Sequence, residues 1–125
     1  MEPKKTLGSR QRIRRQAAFK SLVERGIFAR GEFFYLWVGR QDGKKQREAK
    51  KLPMLGIVVS RQTDPTAVGR NVWKRRVREI FREHQAQLCP EAVCLVKVRR
   101  KQKKPSFLAA KEDLVRLFKK AGAWA

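Results

Sequence analysis

Residues 54–88 read MLGIVVSRQTDPTAVGRNVWKRRVREIFREHQAQL and decide the fold of this chain. The segment opens with MLGIVVS, Met54 to Ser60, a run rich in β-branched residues that is typical of a buried strand. A turn-prone link that contains Asp64 and Pro65 follows the run. From Arg70 to about Leu88 the apolar residues recur with the period of a helix. The segment therefore predicts a strand, a turn and a long amphipathic helix.

The predicted helix carries an apolar arc and a basic arc side by side when its residues are placed about 100° apart. The apolar arc consists of Trp73, Val77, Ile80, Phe81, His84 and Leu88. The adjacent arc, which we call the basic stripe, consists of Lys74, Arg75, Arg78 and Arg82. Glu79 and Glu83 fall outside the stripe, whereas a merely solvated face usually mixes acids with its bases. The stripe therefore predicts contact with phosphate, and Arg70 and Asn71 extend it to the helix start, where free N–H groups attract anions.

Shorter patterns predict the other elements. Apolar residues at helical spacing between Ile13 and Gly26 indicate a first helix, with Gly26 in the left-handed conformation after its last turn. Phe33 to Val38 and Ala92 to Val98 are mostly apolar runs without a breaker, so both predict strands. Ser106 to Ala121 predicts a closing helix. Its inward residues are Leu114, Leu117 and Phe118, and its stop is Gly122.

Together these elements predict an α+β fold, a small α/β sandwich with helices and a sheet of about four strands. The length of 125 residues allows one domain with one core. The element order is α, β, β, α, β, α, and the polar, basic loop at residues 39–51 has room for one more strand. Residues 1–12 are predicted to be a basic, flexible N-terminal arm, which leaves residues 13–125 as the single folded domain.

The charge of the chain indicates a polyanionic partner. There are 32 Lys and Arg against 11 Asp and Glu, a formal net charge of +21, and basic blocks recur on several elements. No apolar run approaches the roughly eighteen residues of a membrane span, and the apolar faces are all needed for a small core. The N-terminus also lacks the apolar region of a secretory signal. We therefore expect a cytoplasmic RNA-binding domain that binds no membrane.

Residues that could carry out protein-borne catalysis are scarce. The chain has one His, His84, and no Ser or Cys near a recognisable base. A nuclease that uses His84 with Glu79 or Glu83 is disfavoured because these acids lie beside it on one helix without a metal cluster. A zinc site from His84, Cys89 and Cys94 lacks four ligands in paired short spacings, and a disulfide is disfavoured in the cytosol. We expect no catalytic residue, no metal held by the protein, and two buried free thiols.

Five aromatic residues lie on two neighbouring elements, which is more than one sheet face can bury. They are Phe19, Phe33, Phe34, Tyr35 and Trp37. Because a strand alternates its faces, Phe33, Tyr35 and Trp37 are predicted on one face and Phe34 on the other. Burial in the core is the alternative for these side chains. Exposed aromatics beside Lys and Arg stack unpaired bases, so one set is predicted to line an open cleft for a single strand.

Three motifs resemble the bacterial ribonuclease P protein subunit. LGIVVSRQ at 55–62 is similar to the family's Gly-containing strand that ends in Ser-Lys-Lys, and AVGRNVWKRRVRE at 67–79 is similar to its Ala-Val-x-Arg-Asn-Arg-x-Lys-Arg-x-x-Arg-Glu helix start. AAFKSLVERG at 17–26 is similar to its first helix, Phe-x-x-Val-Phe-x-x-Gly. The matching or nearly matching positions are Ser60, Arg61, Ala67, Val68, Arg70, Asn71, Lys74, Arg75, Arg78 and Glu79. The departures are Gln62 for Lys, Val72 for Arg and Val23 for an aromatic residue.

The resemblance implies a left-handed crossover, a helix across one sheet face and an open cleft on the other. It also implies a protein that is a monomer alone and has no catalytic residues. Such a protein joins a large RNA, the ribonuclease P RNA, which cleaves the 5′ leader from precursor tRNA with Mg²⁺ bound mainly by the RNA. The predicted RNA-binding residues are Arg61, Arg70, Asn71, Lys74, Arg75, Arg78 and Arg82. The predicted leader-cleft residues are Phe19, Val23, Trp37 and Ser60.

An RNA-binding module without an enzyme is the alternative function. A ribosomal or ribosome-assembly protein shares the small size, the basic charge and the α/β build of this chain. The RNA that copurifies with the protein from cells would separate the two functions.

Overall fold

The computed structural model describes residues 16–41, 52–99 and 106–125, which form three helices and four strands. In chain order the elements are α1 (Gln16–Arg25), β1 (Ile27–Arg30), β2 (Phe34–Arg40), β3 (Met54–Val58), α2 (Ala67–His84), β4 (Ala92–Val98) and α3 (Phe107–Lys120). The predicted α+β class is confirmed, and β4 has both of its predicted ends. The predicted arm at residues 1–12 lies outside the described residues. No helix in the described ranges is long and apolar enough to cross a membrane.

The four strands form one mixed sheet in the order β1-β2-β4-β3. β2 is antiparallel to both β1 and β4, whereas β3 is parallel to β4. The β3-α2-β4 connection therefore joins two parallel neighbours, and it is the crossover for which the resemblance predicts the left hand. α2 and α3 pack together on one face of the sheet, and α1 packs on the opposite face.

The main core lies between the sheet and helices α2 and α3. The members of the predicted apolar arc that are fully buried in it are Trp73, Val77, Ile80 and Phe81. The Trp73 ring meets the Phe34 ring of β2 edge to face, with 5.9 Å between the centroids. Leu88 is buried as well, but beyond the end of α2, where it forms an isolated bridge with Trp124. Burying a large apolar side chain stabilises the fold by about 1.5–3 kcal/mol, so the four fully buried residues of the apolar arc anchor α2 to the sheet.

The ends of the long helix differ from those predicted. α2 begins at Ala67 rather than at Arg70, because the Thr66 hydroxyl caps the helix by accepting a hydrogen bond from the Gly69 N–H at 3.0 Å. It ends at His84 rather than near Leu88. The last helix, α3, stops where predicted, because Gly122 adopts a left-handed φ of 81° directly after the cap residue.

One strand near the first helix was not predicted, and one prediction about Gly26 is wrong. The fourth strand of the described sheet is β1, Ile27–Arg30. A strand within residues 39–51 stays a prediction, because residues 42–51 lie outside the described residues. Gly26 does not take a left-handed φ. It is needed for space instead, because a Cβ at Gly26 would lie 2.5 Å from the Leu22 carbonyl oxygen. The four-residue strand IFAR is too short to show the alternation of apolar and polar residues that is typical of a strand. It forms by pairing with β2.

Candidate nucleic-acid interface

The start of α2 is held by a compact turn. Asp64 Oδ1 accepts hydrogen bonds from the Thr66 N–H at 2.9 Å and from the Thr66 hydroxyl at 2.7 Å. The Thr63 hydroxyl donates to the carbonyl oxygens of Val98 and Arg99 at 3.2 and 3.1 Å, which ties the turn to the end of β4. A Cβ at Gly69 would lie 1.8 Å from the Asp64 carboxylate, so only glycine fits there. The turn therefore presents the N-terminus of α2 in one orientation.

Arg70, a predicted phosphate contact, already has a structural role in this turn. Its Nη1 donates to the carbonyl oxygens of Asp64 and Pro65 at 3.1 and 3.0 Å. The side chain is half-buried, so it braces the turn and keeps part of its guanidinium near the surface. The neighbouring Asn71 is exposed, as is Arg61 in the turn itself.

The basic stripe runs along α2 beside the buried arc. Arg75 is exposed, and Lys74 and Arg78 are half-buried. The expectation that the stripe is free of acids is wrong at Arg82, whose Nη2 forms an ion pair with Glu79. Residues separated by three positions are neighbours on a helix surface, so Glu79 reaches across from its own arc. Within the described ranges, no acid pairs with Lys74 or Arg75, and these two cations form the centre of the stripe.

The sheet face opposite α2 and α3, which we call the open face, carries aromatic rings. Tyr35 and Trp37 of β2 lie on it, with 6.2 Å between their ring centroids, whereas Phe34 is fully buried on the other face. This alternation confirms the prediction for these side chains. Phe33 differs, because it precedes β2 and packs against the main core with its ring 6.5 Å from that of Phe34. Lys97 of β4 lies opposite Tyr35, which adds a cation to the open face.

Helix α1 crosses the open face and covers part of it. Leu22 is buried there against Leu95 of β4. The partly buried residues packed around this pair are Phe19, Trp37, Met54, Val58 and Val93. Gly39 lets the helix approach, since a Cβ there would lie 2.7 Å from Leu22 Cδ2. The structure thus brings the predicted cleft residues Phe19 and Trp37 into one cluster beneath α1.

The other two predicted cleft residues, Val23 and Ser60, are not members of this cluster. Val23 is on α1 and is 50% exposed. Ser60 follows β3, and its carbonyl oxygen accepts from the N–H groups of Thr63 and Asp64 at 3.1 and 3.3 Å. The Ser60 hydroxyl oxygen is buried and has no hydrogen-bond partner among the described residues. Ser60 therefore belongs to the turn before α2 rather than to the aromatic cluster.

Three further side chains on the open face were not predicted. Phe28 of β1 lies opposite Trp37, with 5.1 Å between the ring centroids. Arg99 places its guanidinium over the Tyr35 ring, 5.3 Å from the centroid, and Lys97 stands opposite the same tyrosine. The alternation of β2 was sufficient to place Tyr35 beside Trp37. Phe28 could not be found in this way because β1 itself was not predicted.

The groups considered for catalysis or metal binding stand apart from one another. His84 Nδ1 lies 2.8 Å from the Ile80 carbonyl oxygen. Cys94 is fully buried, and burial raises the pKa of its thiol to about 12, whereas Cys89 is half-exposed and not buried as predicted. In the parts of the chain that the structure describes, no three His, Cys, Asp or Glu side chains come together as a metal site would require.

Comparison with known proteins agrees with this architecture. The family model described as Ribonuclease P matches residues 7–122. The ribonuclease P protein component of a Pseudanabaena species is 30% identical over 115 residues, which cover 92% of this chain and 94% of that protein. The solved ribonuclease P protein of Staphylococcus aureus is similar with a TM-score of 0.77 and 25% identity, covering 92% of this chain and 98% of the other. The protein from Thermotoga maritima is similar with a TM-score of 0.73 and 27% identity, covering 87% and 96%.

Proposed function

Since this chain belongs to the ribonuclease P protein family, we propose that it is the protein subunit of a ribonuclease P that matures the 5′ ends of tRNAs. One observation carries the proposal: a basic helix and an aromatic surface occupy different faces of one sheet. Two such surfaces suit a protein that contacts two RNA elements at once. The basic helix contacts the catalytic RNA, and the open face contacts the single-stranded 5′ leader of precursor tRNA.

The RNA-binding side is centred on the N-terminal half of α2. The residues assigned to it are Arg61, Arg70, Asn71, Lys74, Arg75, Arg78 and Arg82. The exposed Arg75 and half-buried Lys74 offer direct charge to phosphate oxygens. Arg70 acts through the turn that it braces as well as through its charge. Arg82 already pairs with Glu79, so its contribution to phosphate binding is smaller.

The leader side is the strip of open face beside α1. Phe19 and Trp37 supply the aromatic surface, Val23 is exposed on α1, and Ser60 lies past the end of β3. Bases stack on aromatic rings whatever their sequence, because every base has a π-face. This tolerance suits a leader whose sequence varies from one precursor to another.

The chemistry of cleavage belongs to the RNA in this proposal. The protein contributes no catalytic residue, and the Mg²⁺ ions that support hydrolysis are bound mainly by the RNA subunit. The protein alone is a monomer, and the assembled particle works in the cytoplasm. Its residues bind and orient the two RNA elements, which brings the leader to the catalytic RNA.

Reconstitution tests the proposal. The protein with Mg²⁺ and precursor tRNA should cut nothing, whereas addition of the RNA subunit should restore cleavage at the mature 5′ end. Cleavage by the protein alone that disappears in His84→Ala would refute the assignment of chemistry to the RNA. Sequencing the RNA that copurifies from cells separates this function from that of a ribosomal or ribosome-assembly protein.

The salt dependence of RNA binding tests the basic stripe. Each neutralised phosphate adds about 0.7 to 0.9 to the slope of log affinity against log salt. Lys74→Ala should lower the slope for the RNA subunit by about one. Lys120→Ala is the matched control, because Lys120 is an exposed lysine on α3 outside the assigned set. Equal slopes for both variants would place the contact surface elsewhere.

A further inference from the structure

Phe28 is an exposed aromatic residue on the edge strand of the sheet. Its side chain is 50% exposed, although it lies in β1 and pairs with a central strand. A large apolar side chain left in water is informative when it joins other apolar groups in a patch. Phe28 does so, because its ring centroid is 5.1 Å from that of Trp37 and 5.7 Å from that of Tyr35. The three rings form a continuous surface that extends from the middle of the open face to its edge.

The position of Phe28 is held by the rest of the fold. The turn after β1 is fixed by Asp113 of α3, whose two carboxylate oxygens accept from the N–H groups of Glu32 and Phe33, both at 3.0 Å. Asp113 is fully buried, and a Cβ at Gly31 would lie 2.5 Å from its Oδ2. This anchoring holds the turn after β1, so the backbone that carries Phe28 is preorganised in register with β2.

Two cations lie in the row of side chains next to the Phe28 ring. Arg30 lies opposite Tyr35 on one side, and Lys97 lies opposite the same tyrosine on the other. Paired residues of neighbouring strands point to the same sheet face, so these two cations line one row next to the row of Phe28 and Trp37. Aromatic rings beside a row of cations are the arrangement that binds an unpaired nucleic acid strand.

The neighbouring helix lacks an aromatic residue where the resemblance predicts one. Val23 stands at that position on α1, and it is 50% exposed. Helix α1 therefore contributes Phe19 but no second ring to the aromatic surface, whereas β1 contributes Phe28. Phe28 thus supplies a ring from the edge of the sheet rather than from the helix.

We propose that Phe28 extends the leader cleft onto β1 and stacks on an unpaired base of the leader beyond the base bound at Trp37. Arg30 and Lys97 neutralise the phosphates that link these bases. The proposal rests on the proposed leader binding of the open face, and it adds a second stacking position at the sheet edge. The leader therefore has to be long enough to reach β1 before Phe28 contributes to affinity.

Ile27 provides a matched control on the same strand. It is 59% exposed and lies opposite Val38, whose side chain is buried on the other face of the sheet. Ile27→Ala therefore removes exposed apolar surface from β1 without touching the open face. Phe28→Trp retains a stacking ring, whereas Phe28→Leu retains apolar volume without one.

The experiment measures the affinity of reconstituted holoenzyme for precursor tRNAs with leaders of graded length, with mature tRNA as the reference. For long leaders, Phe28→Ala and Phe28→Leu should each weaken binding roughly five- to hundredfold, the range for loss of one stacked base. Ile27→Ala and Phe28→Trp should bind nearly as the parent protein does. The loss should vanish when the leader is shortened below the length that reaches β1.

The outcomes distinguish this proposal from the function on which it rests. If the parent holoenzyme binds precursor and mature tRNA equally, leader binding itself is wrong. If leader binding holds but Phe28→Ala matches the parent protein at every length, the proposal is overturned. It is also overturned if Phe28→Leu binds as well as the parent protein, since stacking is then not involved. A protein that sediments as a dimer and dissociates in both Phe28→Ala and Ile27→Ala would instead assign β1 to contact with a second copy of the chain.

Discussion

Replacing Trp37 with Ala separates a stacking role from a structural one. Trp37 is partly buried beside Phe28, and it packs on the cluster around Leu22 and Leu95. Loss of one base stacked on its ring should cost about 1–3 kcal/mol, or roughly five- to hundredfold in affinity for precursor tRNA. Mature tRNA has no leader, so its affinity should change little.

The same substitution also has a structural cost. Truncating a fully buried Trp costs about 3–5 kcal/mol, and the exposed part of Trp37 reduces this to about 2 kcal/mol. For a domain of this size such a loss lowers Tm by roughly 8 °C, which leaves the protein folded at assay temperature. Trp73→Ala is the matched control. Trp73 is fully buried against Phe34, so its truncation should cost the full amount, about 3–5 kcal/mol of stability.

The assay compares holoenzyme affinities for precursor and mature tRNA at one salt concentration, with Tm measured on the same preparations. Trp37→Ala should lose affinity for the precursor selectively, with a modest fall in Tm. Trp73→Ala should show a large fall in Tm and the same proportional change in affinity for the two RNAs. The reasoning is refuted if Trp37→Ala lowers Tm as much as Trp73→Ala does and weakens the binding of both RNAs equally. Trp37 would then be a core residue.

Three further predictions concern a helix cap, a buried carboxylate and the two thiols. Thr66→Ala should destabilise the protein by about 0.5–2 kcal/mol in denaturant unfolding, because the Gly69 N–H loses its cap. Ser106→Ala removes the corresponding cap of α3, and a smaller change in Thr66→Ala than in this variant would contradict the importance of the Thr66 cap. Asp113→Ala should lower the free energy of unfolding by about 3–5 kcal/mol, because the two partly buried N–H groups of Glu32 and Phe33 lose a charged acceptor. Unchanged stability would contradict the anchoring role of Asp113. A thiol reagent at pH 8 should modify Cys89 well before Cys94, whose pKa is raised to about 12; equal rates would contradict the burial of Cys94.

The raised pKa of Cys94 also predicts how the stability of the protein changes with pH. The thiol keeps its proton in the folded protein up to about pH 12, whereas in the unfolded chain it ionises near its ordinary pKa of 9.0. The unfolded state then binds fewer protons than the native state between these values, so this group lowers stability as pH rises through that window. The free energy of unfolding of Cys94→Ala, measured at pH 8 and pH 10, should fall less with pH than that of the parent protein. An equal fall in both would contradict the assignment.

Much of the fold and the placement of several candidate residues followed from the sequence, because the signals involved are local. The helical period placed Trp73 in the core and Lys74 on the basic stripe, since both positions depend only on the angle between successive residues. The mostly apolar run from Ala92 to Val98 marked a core strand, and the alternation of β2 separated Phe34 from Trp37. Each of these features is complete within one segment.

Only the tertiary structure decided the features that depend on which segments meet. Ile27–Arg30 is too short to carry a period, and it becomes a strand because β2 offers a free edge, which in turn places Phe28 beside Trp37. Gly26 is required by space rather than by a left-handed φ, because a Cβ would lie 2.5 Å from the Leu22 carbonyl oxygen and 3.1 Å from that of Val38 in β2. Asp113 gained its role in the same way, since its two N–H partners lie about eighty residues earlier in the chain. Periodicity within a segment cannot encode such contacts, because they exist only after the sheet and helices have packed together.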